Sequence, residues 1–481
     1  MSKIIFFKEQ INKILVSHFF IAFIAFIFIL TIIAFAMGKL GRWDLLEQVS
    51  MVDNYFNEGF FYPAFNDPNP HGTSAYFPGL ALFLSLFRGA GIDFYLVEFS
   101  IAISCLVLLA FMYVQLKISE KIIDKSISYY KFIPFIISYC LILTPTWLMY
   151  AIEFKPDTVA LLFGYLGLSI CAFLDDSSSI KKILIGSLFC AGALIFKQQY
   201  IAFIFGISFY CLFFPSRNRL LFLFLIAVFT SLILIIFYKN SDIWFWNVLV
   251  LADDPFLSIK EIAELNFRAI QVLIFSIICC ITFLKLNEKN SPINLDTGMI
   301  QRLYKMPWAW GATFFILASF ASALKVGGNS GNTELGIFLV LPLIYAILSN
   351  LPTRIFTALA AAALIMDVPN VAYGVVKFNL ANELRSFVVS EEENIPFTVL
   401  TGSNVYFASR HYNYNNESFN YWTAAKRDNK DLINLGLLLP NIPPDRLVVE
   451  NWPNNKKAIL LDNRYIIIFE NQLGIVAKKV Q

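Results

Sequence analysis

The sequence predicts an all-α polytopic membrane protein of about eleven transmembrane helices, with surface helices in its first outer loop and a small C-terminal α/β soluble domain. Three observations predict it. The 481 residues are 58% hydrophobic and only 15% charged, with a mean hydropathy of +0.65, too much apolar surface for one water-soluble core. Apolar runs near the length needed to cross a bilayer recur along most of the chain. Near Asn370 the composition changes abruptly to charged and Asn/Pro-rich segments alternating with β-branched runs.

What the chain lacks narrows the function. Its 37 basic and 34 acidic residues leave a net charge of +3, spread along the sequence, so there is no electrostatic footprint for nucleic acid. The seven cysteines, Cys105, Cys140, Cys171, Cys190, Cys211, Cys279 and Cys280, all fall in apolar runs and read neither as disulfide partners nor as zinc ligands. With three histidines, no HExxH and no GxxxxGK phosphate loop, ATP-driven chemistry finds no site in this chain.

The apolar run from about Ile14 to Met37 follows Lys3, Lys8 and Lys13. It is longer than a signal-peptide core and reads as an uncleaved first span with a cytoplasmic N-terminus. The segment Tyr76 to Phe87 is apolar but only about a dozen residues long, and holds Pro78 and Gly79, which suits an interfacial or re-entrant helix. The second span is then 94–116, and Lys117, Lys121, Lys125 and Lys131 fall inside; counting 76–87 as a span reverses that charge asymmetry. Further spans follow at 132–150, 157–174, 183–197, 199–214, 219–238, 268–284, 307–324, 335–349 and 353–368, placing Lys181, Lys182, Arg217 and Arg219 on the cytoplasmic side.

The chain thus divides into a membrane domain, 1–369, and a tail, 370–481, on the outer side. The tail's β-branched runs PFTVL, RLVVE, AILLD and RYIIIF, an expected hairpin of Ala458–Leu461 with Tyr465–Phe469, and a helical segment Tyr421–Leu435 suffice for one modest core. Its 12 basic and 11 acidic residues argue against a polybasic membrane anchor. Internal repeats of the inverted-transporter kind are not found.

Four polar stretches face the outer side in this topology. The first is the loop Gly38 to Ser74, which carries Asp44, Glu47, Asp53, Glu58, Asp67 and His71; loops of that length are usually functional or disordered. Leu45, Val49, Val52 and Phe56 recur at helical spacing and indicate an amphipathic helix on the membrane surface. Most of its acids read as solvated, while Asp44, at the start of that helix, stands at the membrane exit. The second stretch is Glu153-Phe-Lys155-Pro-Asp157, two carboxylates and a lysine at the junction of two spans. Charges there face a cavity or a partner, although Pro156-Asp157 equally reads as a helix start with an acid at the N-terminal dipole.

Lys197-Gln198-Gln199-Tyr200 is the third, set where two short spans meet. A snorkelling lysine is the plain alternative to a cation holding a lipid phosphate. In the fourth, Lys325 precedes Val-Gly-Gly-Asn329-Ser-Gly, a turn whose backbone amides can face an anion or simply join two helices. An outer cavity with carboxylates at its water side and lysines with amides at its lipid side suits a sugar joined through phosphate to a long lipid. A carboxylate then acts as general base on an acceptor hydroxyl, and cations stabilise the departing phosphate.

With these residues in place, the chain resembles the GT-C superfamily of membrane glycosyltransferases that use polyprenyl-phosphate sugars, in the style of lipid A aminoarabinose transferase and the protein O-mannosyltransferases, family 39-like. Asp44 with Glu58-Gly59-Phe-Phe-Tyr-Pro63 is similar to the family's Asp-led helix and the turn that ends it. Tyr76-Phe-Pro78 is similar to the start of its membrane-surface helix, and Pro156-Asp157, Lys197-Gln198 and Lys325 to Asn329 are similar to its later motifs. The resemblance implies a GT-C fold with Asp44 as catalytic base, Asp157 as second active-site acid with Glu153 upstream, and inversion at the sugar. Asp53, Tyr76, Lys155, Lys197, Gln198, Lys325 and Asn329 would bind substrate. Two departures matter. Leu45 replaces the second acid of the first motif, leaving Asp53 and Glu47 as substitutes, and the Lys-Pro before the surface helix is missing.

The resemblance implies a polyprenyl-phosphate sugar donor and a glycan or lipid acceptor of the cell envelope, lipopolysaccharide among them. It also implies a multi-pass location in a bacterial inner membrane with the tail periplasmic. Metal use varies within the superfamily, so both a metal-free reaction and a divalent ion between carboxylate and phosphate stay open. The rival readings are a flippase or transporter of lipid-linked saccharide, which calls for ionisable residues deep in several spans, and an O-antigen-type polymerase, which calls for a large late outer loop.

Overall fold

The computed structural model describes residues 2–39, 48, 51–52, 55–56, 59, 61, 77–89, 97–143, 156–171, 179–240, 258–260, 297–323, 336, 338–349, 351–391, 398–401, 446–451, 453–461 and 464–480. The expected span 268–284 and the expected helix 421–435 lie outside these residues.

The helices begin with α1 (Ser2–Val16) and α2 (His18–Lys39). Sequence reading merges them into one span from Ile14; Ser17 separates them. Its hydroxyl donates to the Ile14 carbonyl and accepts the Phe20 amide, closing one helix and capping the next. Next come α3 (Gly79–Gly89), α4 (Val97–Ile123) and α5 (Tyr129–Ser138), which runs into a single π turn, Tyr139–Leu143. Helix α3 has 11 residues, too few to cross a bilayer core of roughly 30 Å.

α6 (Pro156–Cys171) and α7 (Ile180–Phe196) follow, then a 3₁₀ turn at Gln198–Tyr200 and α8 (Ile201–Phe213). The remaining bundle helices are α9 (Arg217–Asn240), α10 (Thr297–Tyr304), α11 (Pro307–Ala323), α12 (Leu341–Leu348), α13 (Thr353–Met366) and α14 (Val368–Glu391). Among the described residues, three helical stretches are long and apolar enough to cross a membrane: His18–Met37, Ala102–Ile123 and Arg217–Ile236. The pair α13 and α14, bent by 42°, makes a fourth if taken as one span. Phe19, Phe23, Phe26 and Leu30 on α2 and Leu220, Phe224 and Ile235 on α9 are exposed, as expected of helices apolar all round in lipid.

Small residues set the packing inside. Helices α6 and α7 run antiparallel, with Gly167 against Gly186 and Cys190, and Gly192 against the Phe163 ring. Helices α8 and α11 are also antiparallel. Tyr200 meets Phe315 at 4.6 Å between ring centroids, Phe213 meets Trp310 at 5.4 Å, and Gly206 and Gly311 let the two backbones approach. Deeper in the bundle, Phe135 packs edge-on against Tyr345 and Phe356, joining α5 to α12 and α13.

Composition places the start of the tail at 370, yet the chain stays helical to Glu391 and lies along α2, where Gly374 meets the Ala34 carbonyl. Beyond it, β1 (Thr398–Thr401), β2 (Arg446–Glu450), α15 (Pro453–Leu461), β3 (Tyr465–Glu470) and β4 (Gly474–Lys479) complete the described elements. The sheet order is β1-β2-β4-β3, with β1 parallel to β2 and the other pairs antiparallel. Strand alternation divides its apolar side chains: Leu447, Val449, Ile475 and Ala477 form a core with Ile459 of α15, while Val448 and Val476 join the main core, to which Leu384 and Val388 of α14 belong. Phe387 stacks on Phe469 at 4.5 Å. The expected hairpin of Ala458–Leu461 with Tyr465–Phe469 is corrected: 453–461 is a helix opened by Pro453 with Leu460 and Leu461 exposed. The hairpin is β3–β4, whose turn is closed by the Asn471 side chain accepting the Leu473 and Gly474 amides.

Candidate active site at the apex of two short helices

Helix α7 has 17 residues and α8 has 13, so they extend about 25 and 20 Å, each short of a bilayer core of about 30 Å. Between them the chain breaks at Lys197, whose backbone is extended at φ −151°, ψ 122°. The Lys197 amide donates to Ala193, and its carbonyl accepts the Tyr200 amide at 3.1 Å. Helices α7 and α8 both pack against α9, and Lys197 sits at the apex of the break between them. Lys197 is 3% exposed. A snorkelling lysine keeps its ammonium in interfacial water; this one is enclosed by protein. Gln198 follows, half-buried, with its backbone carbonyl accepting the Ile201 amide.

Four other parts of the chain reach the same apex. Because α6 and α7 are antiparallel, the first turn of α6 stands beside the end of α7. Pro156 is its first residue, as its missing N–H favours, and Thr158 is 2% exposed. The start of α3 arrives from another direction: a Cβ on Gly79 would lie 2.5 Å from the Ile195 carbonyl oxygen and 2.8 Å from the Phe196 amide nitrogen. Phe77 and Leu80 flank that contact, both buried. The third is Gln48, fully buried, whose side-chain oxygen accepts the Ala81 amide at 3.2 Å and so satisfies one of the free N–H groups opening α3. Finally, α11 passes the apex, Phe315 at its middle meeting Tyr200, and the chain returns beside it where Gly336 meets Ser319.

Of the residues expected at the site, Lys197 and Gln198 are described fully. Asp157 is the second residue of α6, and its side chain lies outside what is described. Asp44, Asp53, Tyr76, Glu153, Lys155, Lys325 and Asn329 also fall outside the described residues. The described residues that meet around the apex are Gln48, Gly79 and the first turn of α6. Groups of three or more His, Cys, Asp or Glu side chains able to hold a metal ion do not occur among the described residues.

Sequence reading missed Gln48 and the role of Gly79. Gln48 could have been found, because it lies three positions after Leu45 and four before Val52, an amide on an otherwise apolar stripe. The close approach of Gly79 to another helix has no local sequence signal beyond the glycine itself.

The fold and the apex define a mostly helical protein with apolar helices of membrane-crossing length and a buried cation where two short helices meet. No protein-family model matches the sequence, and no curated protein matches it. The fold is similar to the crystal structure of ArnT from Cupriavidus metallidurans bound to undecaprenyl phosphate, with a TM-score of 0.47, 12% identity, and coverage of 95% of this chain and 97% of that one. It is similar also to the apo structure of the same protein, with a TM-score of 0.44, 12% identity, and coverage of 94% and 96%.

Proposed function

We propose that this chain is an integral membrane glycosyltransferase that takes a sugar from a polyprenyl-phosphate carrier and transfers it, with inversion, to a hydroxyl on a cell-envelope glycan or lipid. The observation that carries the reading is the burial of Lys197, with Gln198 half-buried beside it, at the break between two helices each too short to cross a bilayer core, a cation and an amide of the kind that binds a lipid phosphate. The approach of the Gln48 helix, the start of α3 and the first turn of α6 to the same apex supports it, since the sequence assigns the acids to these segments.

In this mechanism Asp44 removes the proton from the acceptor hydroxyl, and that oxygen attacks the anomeric carbon from the face opposite the phosphate. The bond between anomeric carbon and phosphate oxygen breaks, its electron pair stays on the phosphate, and Lys197 with Gln198 stabilises the charge. Asp157 and Glu153 orient the sugar, Lys155 and Lys325 add cations, Asn329 offers an amide, and Asp53 and Tyr76 line the entry from the first loop. Asp44, Glu153 and Asp157 are oxygen donors of the kind a divalent cation takes, and such an ion when bound would neutralise phosphate charge. The proposed topology has eleven crossings, a cytoplasmic N-terminus and a periplasmic domain from 370 to 481, in a bacterial inner membrane.

The test is transfer of labelled sugar from a polyprenyl-phosphate donor by the purified chain in nanodiscs. Asp44→Asn should insert normally and lose transfer by about a hundredfold or more. Full transfer by that variant moves the base to Asp53 or Glu47, and inability of the unaltered chain to consume any polyprenyl-phosphate sugar removes the reading.

A further inference from the structure

The far end of α8 carries a second constellation, independent of the reaction above. Its last residues and the start of α11 form an aromatic belt: Phe213 meets Trp310 at 5.4 Å and Phe214 meets Tyr304 at 5.1 Å. Trp310 Nε1 donates to the Tyr304 carbonyl at 2.9 Å, and the Tyr210 hydroxyl to the Lys305 carbonyl at 2.8 Å. Cations sit on this belt. The Arg219 guanidinium donates to the Phe214 carbonyl at 2.9 Å and lies 5.2 Å from the centre of the Tyr210 ring, while Arg217 and Lys305 are exposed.

We propose that this end of the bundle is a binding site for the phosphate headgroup of an anionic glycerophospholipid, with Arg217, Arg219 and Lys305 as the cationic contacts. Three observations support it. First, neither 205–219 nor 297–310 contains an acidic residue, so the cations there have no carboxylate of their own segments to neutralise them. Second, apolar side chains stand out beside the cations: Leu212 is 59% exposed, Phe213 61% and Ile300 60%, a surface that suits acyl chains and not water. Aromatic residues at headgroup level with cations next to them are the signature of a membrane interface.

Third, the site is built and not merely a flexible fringe. Arg302 Nε donates to the Ile122 carbonyl at 3.0 Å, pinning α10 to the end of α4, and the belt's hydrogen bonds tie the turn after α8 to the turn before α11. On the adjoining turn Glu120 is held by Lys117 and by the Ile127 amide, and Asp124 is exposed.

The experiment is native mass spectrometry of the full chain, stripped of lipid and titrated with phosphatidylglycerol or with phosphatidylcholine of the same acyl chains. The unaltered chain should retain phosphatidylglycerol in preference. The double variant Arg217→Gln, Lys305→Gln should bind it about thirtyfold more weakly, and Lys305→Gln alone, an exposed change, about fivefold. A charge-matched variant on the distant β4 strand, Lys478→Gln with Lys479→Gln, should bind as the unaltered chain does. Equal phosphatidylglycerol affinity in the Lys305→Gln variant and the unaltered chain, or equal affinity for the two lipids, would overturn the proposal. Glycosyl transfer is not part of the readout, so its outcome and that of the transfer assay are separate.

Discussion

Helices α9 and α7 pack together and are both apolar, yet they do opposite work. Helix α9 has 24 residues and turns Leu220, Phe224, Leu232, Ile235 and Ile236 outward. Helix α7 has 17 residues and buries Ile183, Gly186, Cys190, Ala193 and Phe196 against its neighbours. The long helix is long enough to cross a bilayer core, and its outward side chains need only be apolar. The short one is not long enough to cross such a core, and its last residue and the turn beyond it are sheltered by protein. A shortfall in length, more than any motif, marks where a polar group is held at depth.

Four substitutions would break or sharpen that contrast. The largest effect is expected from Lys197→Met, which keeps the stem and removes the charge. Transfer should fall by about a hundred- to a thousandfold in kcat/KM, while Leu232→Ala on α9 leaves it unchanged; equal losses in the two variants would erase the distinction. Gly79→Ala comes next, since a methyl group there must displace the Ile195 carbonyl, at a cost of about 1–3 kcal/mol. It would be seen as a lowered thermal transition in detergent, where Leu232→Ala stays within about 0.5 kcal/mol.

Gln48→Leu removes the acceptor of the buried Ala81 amide and should cost about 1–2 kcal/mol, with faster hydrogen exchange at the start of α3. Unchanged exchange there would mean that Gln48 does not hold that helix. The smallest effect belongs to the C-terminal sheet. The Lys456 ammonium, with the Asn451 amide, holds the Glu470 carboxyl below its usual range. A carboxyl depressed by folding contributes stability above the ordinary glutamate value of about 4.3, lost as pH falls through the lowered folded value. Lys456→Met should therefore speed local exchange in β3 and β4 at pH 7 and make no difference at pH 3; an equal effect at both values would refute the pair's role.

Length and charge made much of the bundle legible. Helices α2, α4 and α9 are apolar runs long enough to span, α3 betrays itself by its dozen residues and Pro78-Gly79, and Pro156 marks the start of α6. Lys197-Gln198 stood out as polar residues in an apolar run, although only the structure gives the burial that separates a held cation from a snorkelling one. The break at Ser17 was hidden because serine is tolerated inside a membrane helix and its capping role shows only in geometry. Helix α14 was hidden by composition: Asn370, Asn379, Asn382 and Glu383 read as tail, while Leu380, Leu384, Phe387 and Val388 at helical spacing were the better guide. AILL in α15 resembles a strand by propensity, but burial of Ile459 alone suffices to dock a helix on the sheet.

The contact of α2 with α14 also bears on how the molecule is made. Ala34 and Gly374, which meet backbone to backbone, are separated by 340 positions in the chain. At about 5–20 residues per second, α2 waits roughly 20 to 70 s on the ribosome's clock before its partner has been synthesised. Throughout that interval the Ala34 backbone lacks its Gly374 neighbour. The packing of α2 is thus completed only by a helix made 340 residues later.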